Sequence, residues 1–358
     1  MDSRSFVVGT VCGAAAAATI AWVLEQKRRV KMPARGKPVP GESVASQGVL
    51  SRGNVAVITG AASGIGRATA IACAKVGMRI VLADIGQQMS DLENVREECI
   101  RAGSRDVFCR RCNVTSKDDV CGLKDFAFEK LGVVHLLMNN AAIQSNGDCG
   151  PLDYMNRWRS ILDVNFWGVV NGCQVFAPAM TAQRDASVIV NTGSKQGITA
   201  PPGDTAYNVS KAGVKMYTEA LQHSLRNMEN CRTNAFLLIP GWTISMITTN
   251  GNKWFDKYDI KKAQDERCYD GMQNPAYARE KLMARGAWPA EKVVDELFKA
   301  VNVGAPFYII CQDNETTAAM DNGRMQWTAD DLLFRRLPLS RWSSQYKDEY
   351  ASVSKEFK

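Results

Sequence analysis

The chain has 358 residues, 46% of them hydrophobic and 23% charged, an ordinary globular composition with room for one large α/β domain and additions. Its net charge of +7 does not mark a nucleic-acid binder, because residues 1–40 hold Arg4, Lys27, Arg28, Arg29, Lys31, Arg35 and Lys37 against only Asp2 and Glu25, which is most of the excess. Eleven scattered cysteines with two distant histidines, His135 and His223, argue against a metal centre: the Cys109/Cys112 pair has no companion ligands, and a zinc site needs about four. Cys73, Cys173, Cys231 and Cys311 lie inside apolar runs and read as buried free thiols of a reducing compartment.

Phe6 to Leu24 is an uncharged run (FVVGTVCGAAAAATIAWVL). At a helical rise of about 1.5 Å per residue it spans roughly 28 Å, close to a bilayer's hydrocarbon core. Trp22 sits near one end and Lys27-Arg28-Arg29 follow, so residues 1–24 read as a signal-anchor that leaves the body in the cytosol, on the endoplasmic reticulum or another organelle. A cleaved signal or an organelle-targeting segment is the competing reading of this alanine-rich run. Residues 25–52 are basic, then rich in Pro, Gly and Ser, and form a linker.

From residue 53 the pattern alternates. Short β-branched runs occur at Val55–Thr59, Arg79–Asp84, Val107–Cys112, Val134–Asn139, Ser187–Thr192, Thr233–Ile239 and Phe307–Cys311. Several are apolar throughout, as strands buried on both faces should be. Between them the apolar period is helical; after Tyr207, for example, Val214, Tyr217, Leu221, Leu225 and Met228 share one face. This alternation predicts a doubly wound parallel sheet of about seven strands, Rossmann-type, in a single domain over residues 53–312.

The first strand ends in Thr59-Gly60-Ala61-Ala62-Ser63-Gly64-Ile65-Gly66, directly before a helix. Glycines there permit a tight turn and let backbone N–H groups approach a pyrophosphate, while the helix N-terminus adds partial positive charge. The second strand ends in Asp84, eighteen residues past Gly66. A carboxylate at that place accepts from ribose hydroxyls and repels a 2′-phosphate, which favours NAD; Arg67 nearby keeps NADP as the alternative.

Further on come Asn139-Asn140-Ala141-Ala142, Asn165, Ser194 and Tyr207-Asn208-Val209-Ser210-Lys211. On a helix, residues i and i+4 project from one face, so the Tyr207 phenol and the Lys211 ammonium are neighbours. A nearby ammonium and an oxidised nicotinamide both favour the phenolate, which suits Tyr207 to exchange a proton with an alcohol or ketone near neutral pH.

The ordered set TGxxxGxG, acidic strand end, NNAA, Asn165, Ser194 and YxxxK resembles the short-chain dehydrogenase/reductase family, in its short single-domain branch, over about residues 53–245. The resemblance implies an oxidoreductase that moves a hydride between a nicotinamide cofactor and a secondary alcohol or ketone. It implies Tyr207 as proton donor and acceptor, and Lys211 as the residue that lowers its pKa and holds the nicotinamide ribose. By the same resemblance Ser194 binds the substrate oxygen and Asn165 positions a water of the proton relay. The cofactor would be held by Gly60, Ser63, Gly64, Ile65, Gly66, Asp84, Asn113, Val114, Asn140, Ala141, Pro240, Gly241, Thr243 and Ser245, together with Tyr207 and Lys211. Three positions depart from the family pattern: Ala142 stands for the last glycine of NNAG, Asn113 for the usual Asp, and Ser245 for a common Thr.

Residues 242–290 form a long excursion carrying Trp242, Trp254, Phe255, Tyr258, Tyr269 and Tyr277, and read as a substrate lid. In the tail, residues 313–358, Trp327, Leu332, Leu333, Phe334, Leu337 and Trp342 stand beside Arg335, Arg336 and Arg341; packing on its own body is the expectation, with a partner subunit or a membrane surface as the alternatives. The N-terminal run makes a lipophilic substrate reasonable, and the resemblance implies a homo-oligomer built on the helices after Asp153 and after Tyr207. The rival readings are an NADPH-dependent carbonyl reductase and a dinucleotide-sensing module without turnover. An epimerase or dehydratase of the longer family branch fits less well, since the loop spacing is TGxxxGxG and no large C-terminal domain follows.

Overall fold

A computed structural model describes residues 46, 48–144, 155–247, 250, 254, 275–303, 306–313 and 316–355. The N-terminal run Phe6–Leu24 and most of the linker and excursion lie outside the described residues. Among the described residues, no helix is long and apolar enough to cross a membrane.

Seven parallel strands form one sheet: β1 (Val55–Thr59), β2 (Arg79–Asp84), β3 (Val107–Arg111), β4 (Leu136–Asn139), β5 (Ser187–Thr192), β6 (Thr233–Ile239) and β7 (Tyr308–Ile310). Their order is β3-β2-β1-β4-β5-β6-β7. Four strands match the runs read from sequence; β3, β4 and β7 are shorter, because pairing stops before the apolar run does. In β4, for example, the ladder to β1 starts at Leu136, while the His135 N–H donates singly to the Val55 carbonyl.

Side chains alternate between two cores, as the two-residue strand period requires. Ala56, Ile58, Leu136, Met138, Val188, Val190, Phe236 and Leu238 face one layer. Val55, Val57, Leu137, Ile189, Ala235, Leu237 and Ile239 face the other. The first layer is covered by α1 (Gly64–Lys75), α2 (Met89–Ala102) and α9 (Ala290–Val303), the second by α3 (Lys117–Leu131), α5 (Gly168–Ala182) and α7 (Thr205–Arg226). Truncating a fully buried member such as Phe236 to Ala would cost about 3–5 kcal/mol.

The remaining helices are α4 (Met155–Leu162), α6 (Gln196–Thr199), α8 (Pro275–Ala284), α10 (Ala318–Leu333) and α11 (Lys347–Ser354). The apolar period of α7 holds for Val214, Tyr217, Leu221 and Leu225 but not Met228, which is exposed because the helix ends at Arg226.

The chain divides into two compact units, with residues 41–321 in the larger and the stretch from Asn322 to Phe357 in the smaller. The smaller unit has its own small centre. The Trp327 indole donates to Ser340 Oγ at 2.8 Å, and Arg336 stacks on the same ring at 4.1 Å while pairing with Asp331. Leu332, Leu333, Leu337, Leu339 and Trp342 remain exposed.

Candidate active site

The strand order reverses between β1 and β4, which opens a crevice at their carboxyl ends. The residues singled out in the sequence gather along this edge. After β1, Gly60 (φ +65) and Gly64 (φ +53) take left-handed conformations that a side chain would strain. Gly66 is required by packing: a Cβ there would stand 2.2 Å from the Gly60 carbonyl oxygen. A Cβ on Gly60 would meet the Ala141 backbone at 2.8 Å. Ser63 precedes α1 without capping it, so its side chain leaves the first-turn N–H groups free to face an anion. Ile65 anchors the loop by packing on the core.

Asp84 closes the loop from β2. Its two carboxylate oxygens accept from the Ala62 N–H at 2.9 Å and the Ile85 N–H at 2.8 Å. Burial raises its pKa above the usual carboxylate value, and the two amide bonds oppose that rise. Arg67 points elsewhere and pairs with Glu98 at 2.6 Å.

Thr59 joins the two halves of the crevice. Its Oγ1 accepts from the N–H groups of Asn140 at 3.0 Å and Ala141 at 3.3 Å, while Asn140 Nδ2 donates back to the Thr59 and Gly60 carbonyls. Ala142 is not among the residues with positive φ, so alanine fits where the family has glycine. Asn113 serves a turn: its Oδ1 accepts from Thr115 N–H and Oγ1, a bond an amide oxygen makes as well as a carboxylate does. Val114 is buried against Gly168, and its carbonyl is held by Asn171 Nδ2 at 2.9 Å.

Catalytic candidates converge from β5 and α7. Asp204 caps α7 by accepting from the Tyr207 N–H at 3.3 Å, which starts the helix three residues before the tyrosine. Tyr207 and Lys211 are both buried, and the Tyr207 phenol faces the Ser194 hydroxyl closely enough for it to favour the phenolate. Lys211 Nζ lies 5.6 Å from the centre of the Tyr207 ring and donates to the Thr192 carbonyl at 2.8 Å. Burial pushes the Tyr207 phenol well above its ordinary value, and the Ser194 bond only partly opposes that. Burial lowers Lys211 to about 7. Burial thus disfavours the charged form of both side chains while no cofactor is bound.

Asn165 is fully buried in a π-helical turn, Asp163–Trp167, between α4 and α5. Such a turn re-aims one residue and recurs at functional sites. Asn165 clamps Ile143 by accepting from its N–H at 2.8 Å and donating to its carbonyl at 2.9 Å; Nδ2 also donates to Ser210 Oγ. Tyr207, Val114, Ile143, Ile161, Val164, Ala206 and Trp254 make one apolar cluster, so Trp254 of the excursion shares a core with the tyrosine.

Past β6, the Pro240 carbonyl accepts from the Lys195 N–H, and the Thr243 hydroxyl donates to the Gly241 carbonyl at 3.1 Å. Thr243 also pairs with Trp288, which returns the far end of the excursion to its start. Ser245 approaches the glycine loop: a Cβ on Gly64 would lie 3.2 Å from its Cβ.

Sequence reasoning missed four groups. Thr59 had only its place in the loop to mark it. Asn250 donates to Ser63 Oγ and accepts from Gln88, bracing the glycine loop from inside the excursion. Asn139, Asn191 and Thr218 form a buried hydrogen-bonded chain under the site, with Gly172 leaving room for Asn139. Lys195 pairs with Asp313 and Asp321. The last three depend on tertiary contacts; of their members only Asn139 stood in a motif, Asn139-Asn140-Ala141-Ala142, and there without a role of its own. Of the cysteines, Cys73, Cys173 and Cys311 are buried free thiols as expected, and Cys231 is half-buried.

Comparison with known proteins agrees with this geometry. Residues 54–255 match the family model described as short chain dehydrogenase. The oxidoreductase SadH of Mycobacterium tuberculosis is 37% identical over 175 residues, 48% of this chain and 61% of the relative, so the match spans less than two thirds of that protein. The 3-oxoacyl-[acyl-carrier-protein] reductase FabG of Thermotoga maritima is 35% identical over 196 residues, 55% of this chain and 76% of the relative. A Burkholderia phymatum short chain dehydrogenase/reductase, solved in complex with NAD, superposes with a TM-score of 0.68 at 33% identity, covering 80% of this chain and 96% of that one. With glycine loop, buried Tyr207/Lys211 pair and Ser194 on one doubly wound sheet, the chain belongs to the short-chain dehydrogenase/reductase family.

Proposed function

We propose that the protein is an NAD-dependent dehydrogenase/reductase of secondary alcohols and ketones, with Tyr207 as its acid/base. One observation carries this: the Tyr207 phenol faces Ser194 with Lys211 Nζ 5.6 Å from the tyrosine ring, on the sheet edge that also carries a loop whose Gly60 and Gly66 leave no room for a Cβ. The glycine cradle and the uncapped start of α1 fit a dinucleotide pyrophosphate, and Asp84 at the β2 end fits an adenosine ribose. A bound oxidised nicotinamide supplies the hydride acceptor and a positive charge.

The chain's own residues handle the proton and the orientation. Ser194 holds the substrate oxygen. Tyr207 takes the hydroxyl proton during oxidation and returns it during reduction. Lys211, fixed by Thr192, stands beside the phenol and holds the ribose. Asn165 fixes the Ile143 backbone and orders a water of the relay. Burial holds the Tyr207 phenol up, and a positive charge beside it would favour the phenolate.

The Arg67–Glu98 pair supports NAD over NADP, since the one arginine considered for a 2′-phosphate is already engaged. The Burkholderia phymatum relative was solved with NAD, and for this chain the choice rests on Asp84 and Arg67. The NADPH-dependent reductase is the second reading. Retention of both Tyr207 and Lys211 disfavours a purely sensing module. We further propose that the Phe6–Leu24 run holds the enzyme at a membrane facing the cytosol, and that its substrate is lipophilic. Exposed Met155, Trp167, Val209 and Met216 on α4, the π-turn and α7 support a homo-oligomer.

The test is a titration of the full chain with NADH and with NADPH, followed by tryptophan energy transfer. Tighter NADH binding is expected. Tighter NADPH binding would reverse the cofactor assignment, and binding of neither would defeat the enzymatic reading. Turnover on steroid, retinoid or long-chain alcohols, compared with water-soluble sugars, then tests the substrate class.

A further inference from the structure

We propose that Lys195 is a positioning residue of the active site: held between Asp313 and Asp321, it locks the Ser194 segment to the Gly241 turn. This rests on the proposed function. Lys195 Nζ lies 3.3 Å from Asp313 Oδ2 and 2.6 Å from Asp321 Oδ2, and all three side chains are largely buried. Asp313 Oδ2 also accepts from the Trp242 N–H at 3.2 Å, and the Lys195 N–H donates to the Pro240 carbonyl at 3.2 Å. The cluster therefore joins three chain ends: the residue after Ser194 beyond β5, the Pro240–Gly241–Trp242 turn beyond β6, and Asp313 beyond β7.

The fit is tight. A Cβ on Gly241 would lie 2.4 Å from Asp313 Oδ2 and 3.0 Å from Lys195 Nζ. A side chain at 241 would therefore push the Asp313 carboxylate and the Lys195 ammonium aside. The clamp acts at two addresses. On one side, Ser194 accepts from the Gln196 N–H at 3.2 Å, and the Lys195 carbonyl accepts from Ile198 and Thr199, so the serine stands immediately before a one-turn helix whose N-cap is Lys195. On the other, the turn it holds follows β6 directly, at the carboxyl end of the sheet. A long side chain in a surface turn would ordinarily point to water; here two buried acids draw it inward, and a buried ion pair of this kind specifies one arrangement of the groups it joins. Misplacement of a reacting group by about 1 Å can cost 10²-fold in rate, so a clamp beside the serine has leverage on turnover without touching substrate.

The test compares Lys195→Met, Lys195→Arg and Asp313→Asn in the full chain. Each is assayed for kcat, KM, NADH affinity and thermal midpoint. Lys195→Met is expected to lower kcat at least about tenfold while NADH Kd stays within about threefold, and Lys195→Arg to restore kcat to within about threefold of wild type. Amide hydrogen exchange at Trp242 should speed up in Lys195→Met and recover in Lys195→Arg. If Lys195→Met does not fold, Asp313→Asn decides, with the same split and a smaller fall. Wild-type kcat in Lys195→Met would overturn the proposal. So would a fall in kcat that follows NADH affinity and thermal midpoint together, with no rescue by arginine. Failure of the functional reading looks different: the wild type itself would show no nicotinamide-dependent turnover, and the positioning role would fall with it.

Discussion

The two sides of the crevice are built by different means. The side around Gly60, Gly66 and Asp84 is shaped by backbone: positive φ, close carbonyl approach, and a carboxylate that accepts from two amides. The side around Ser194, Tyr207 and Lys211 is assembled from buried side chains drawn from β5, α7 and the ends of β6 and β7. A site made of backbone tolerates no added atoms but carries little charge. A site made of buried polar side chains tolerates shape changes but depends on every partner staying satisfied.

That contrast can be broken most severely at Gly66. Gly66→Ala drives a methyl into the Gly60 carbonyl, and NADH affinity is expected to fall more than about 100-fold, at a stability cost of about 1–3 kcal/mol. Calorimetric unfolding and NADH titration check both. On the other side, Lys211→Met keeps the fold, because it replaces a buried amine with an apolar chain, and lowers kcat by about 10²-fold or more. Steady-state rates at saturating NAD measure it.

Asp84→Asn comes next. It keeps an acceptor for one amide but removes the charge that repels a 2′-phosphate, so the NADH-over-NADPH preference should shrink about tenfold. Parallel titrations report the ratio.

A smaller effect is a pH slope. Burial places Lys211 at about 7, below its unfolded value of 10.5, so between those values the unfolded chain binds the extra proton. Stability from this group therefore rises with pH above about 7 and is lost as pH falls through it. The clean window ends near pH 8.5, where buried thiols such as Cys73 and Cys173, raised by desolvation, begin to act in the opposite direction. Thermal midpoints of the cofactor-free protein between pH 7 and 8.5 should climb, and Lys211→Met should flatten the climb. The smallest effect is at Asn113: Asn113→Asp preserves the acceptor to Thr115 and should leave NADH Kd within about twofold.

The same contrast explains what could be read from the chain. The backbone-built side was legible because its demands fall on glycines at fixed offsets and on one carboxylate at a strand end. The catalytic residues were legible because Tyr207 and Lys211 must share one helix face. Strand positions followed from buried β-branched runs, although pairing rather than hydrophobicity set the ends of β3, β4 and β7. The π-turn at Asn165 was not legible, since nothing local separates an inserted residue from an ordinary helical one. Lys195 was not legible either. Its partners lie over 100 residues away, and only the fold brings Asp313 and Asp321 to the end of β5. The direction in which burial shifts Tyr207 and Lys211 also needed the structure, because spacing on a helix face does not give depth of burial.

The central claim is that Tyr207 moves the substrate proton in a site whose cofactor half stands independently of it. Its most direct test is Tyr207→Phe, with turnover and NADH affinity measured on the same preparation. The account predicts a fall in kcat of about 10²–10⁴-fold with NADH Kd within about threefold of wild type. Undiminished turnover in Tyr207→Phe would contradict it.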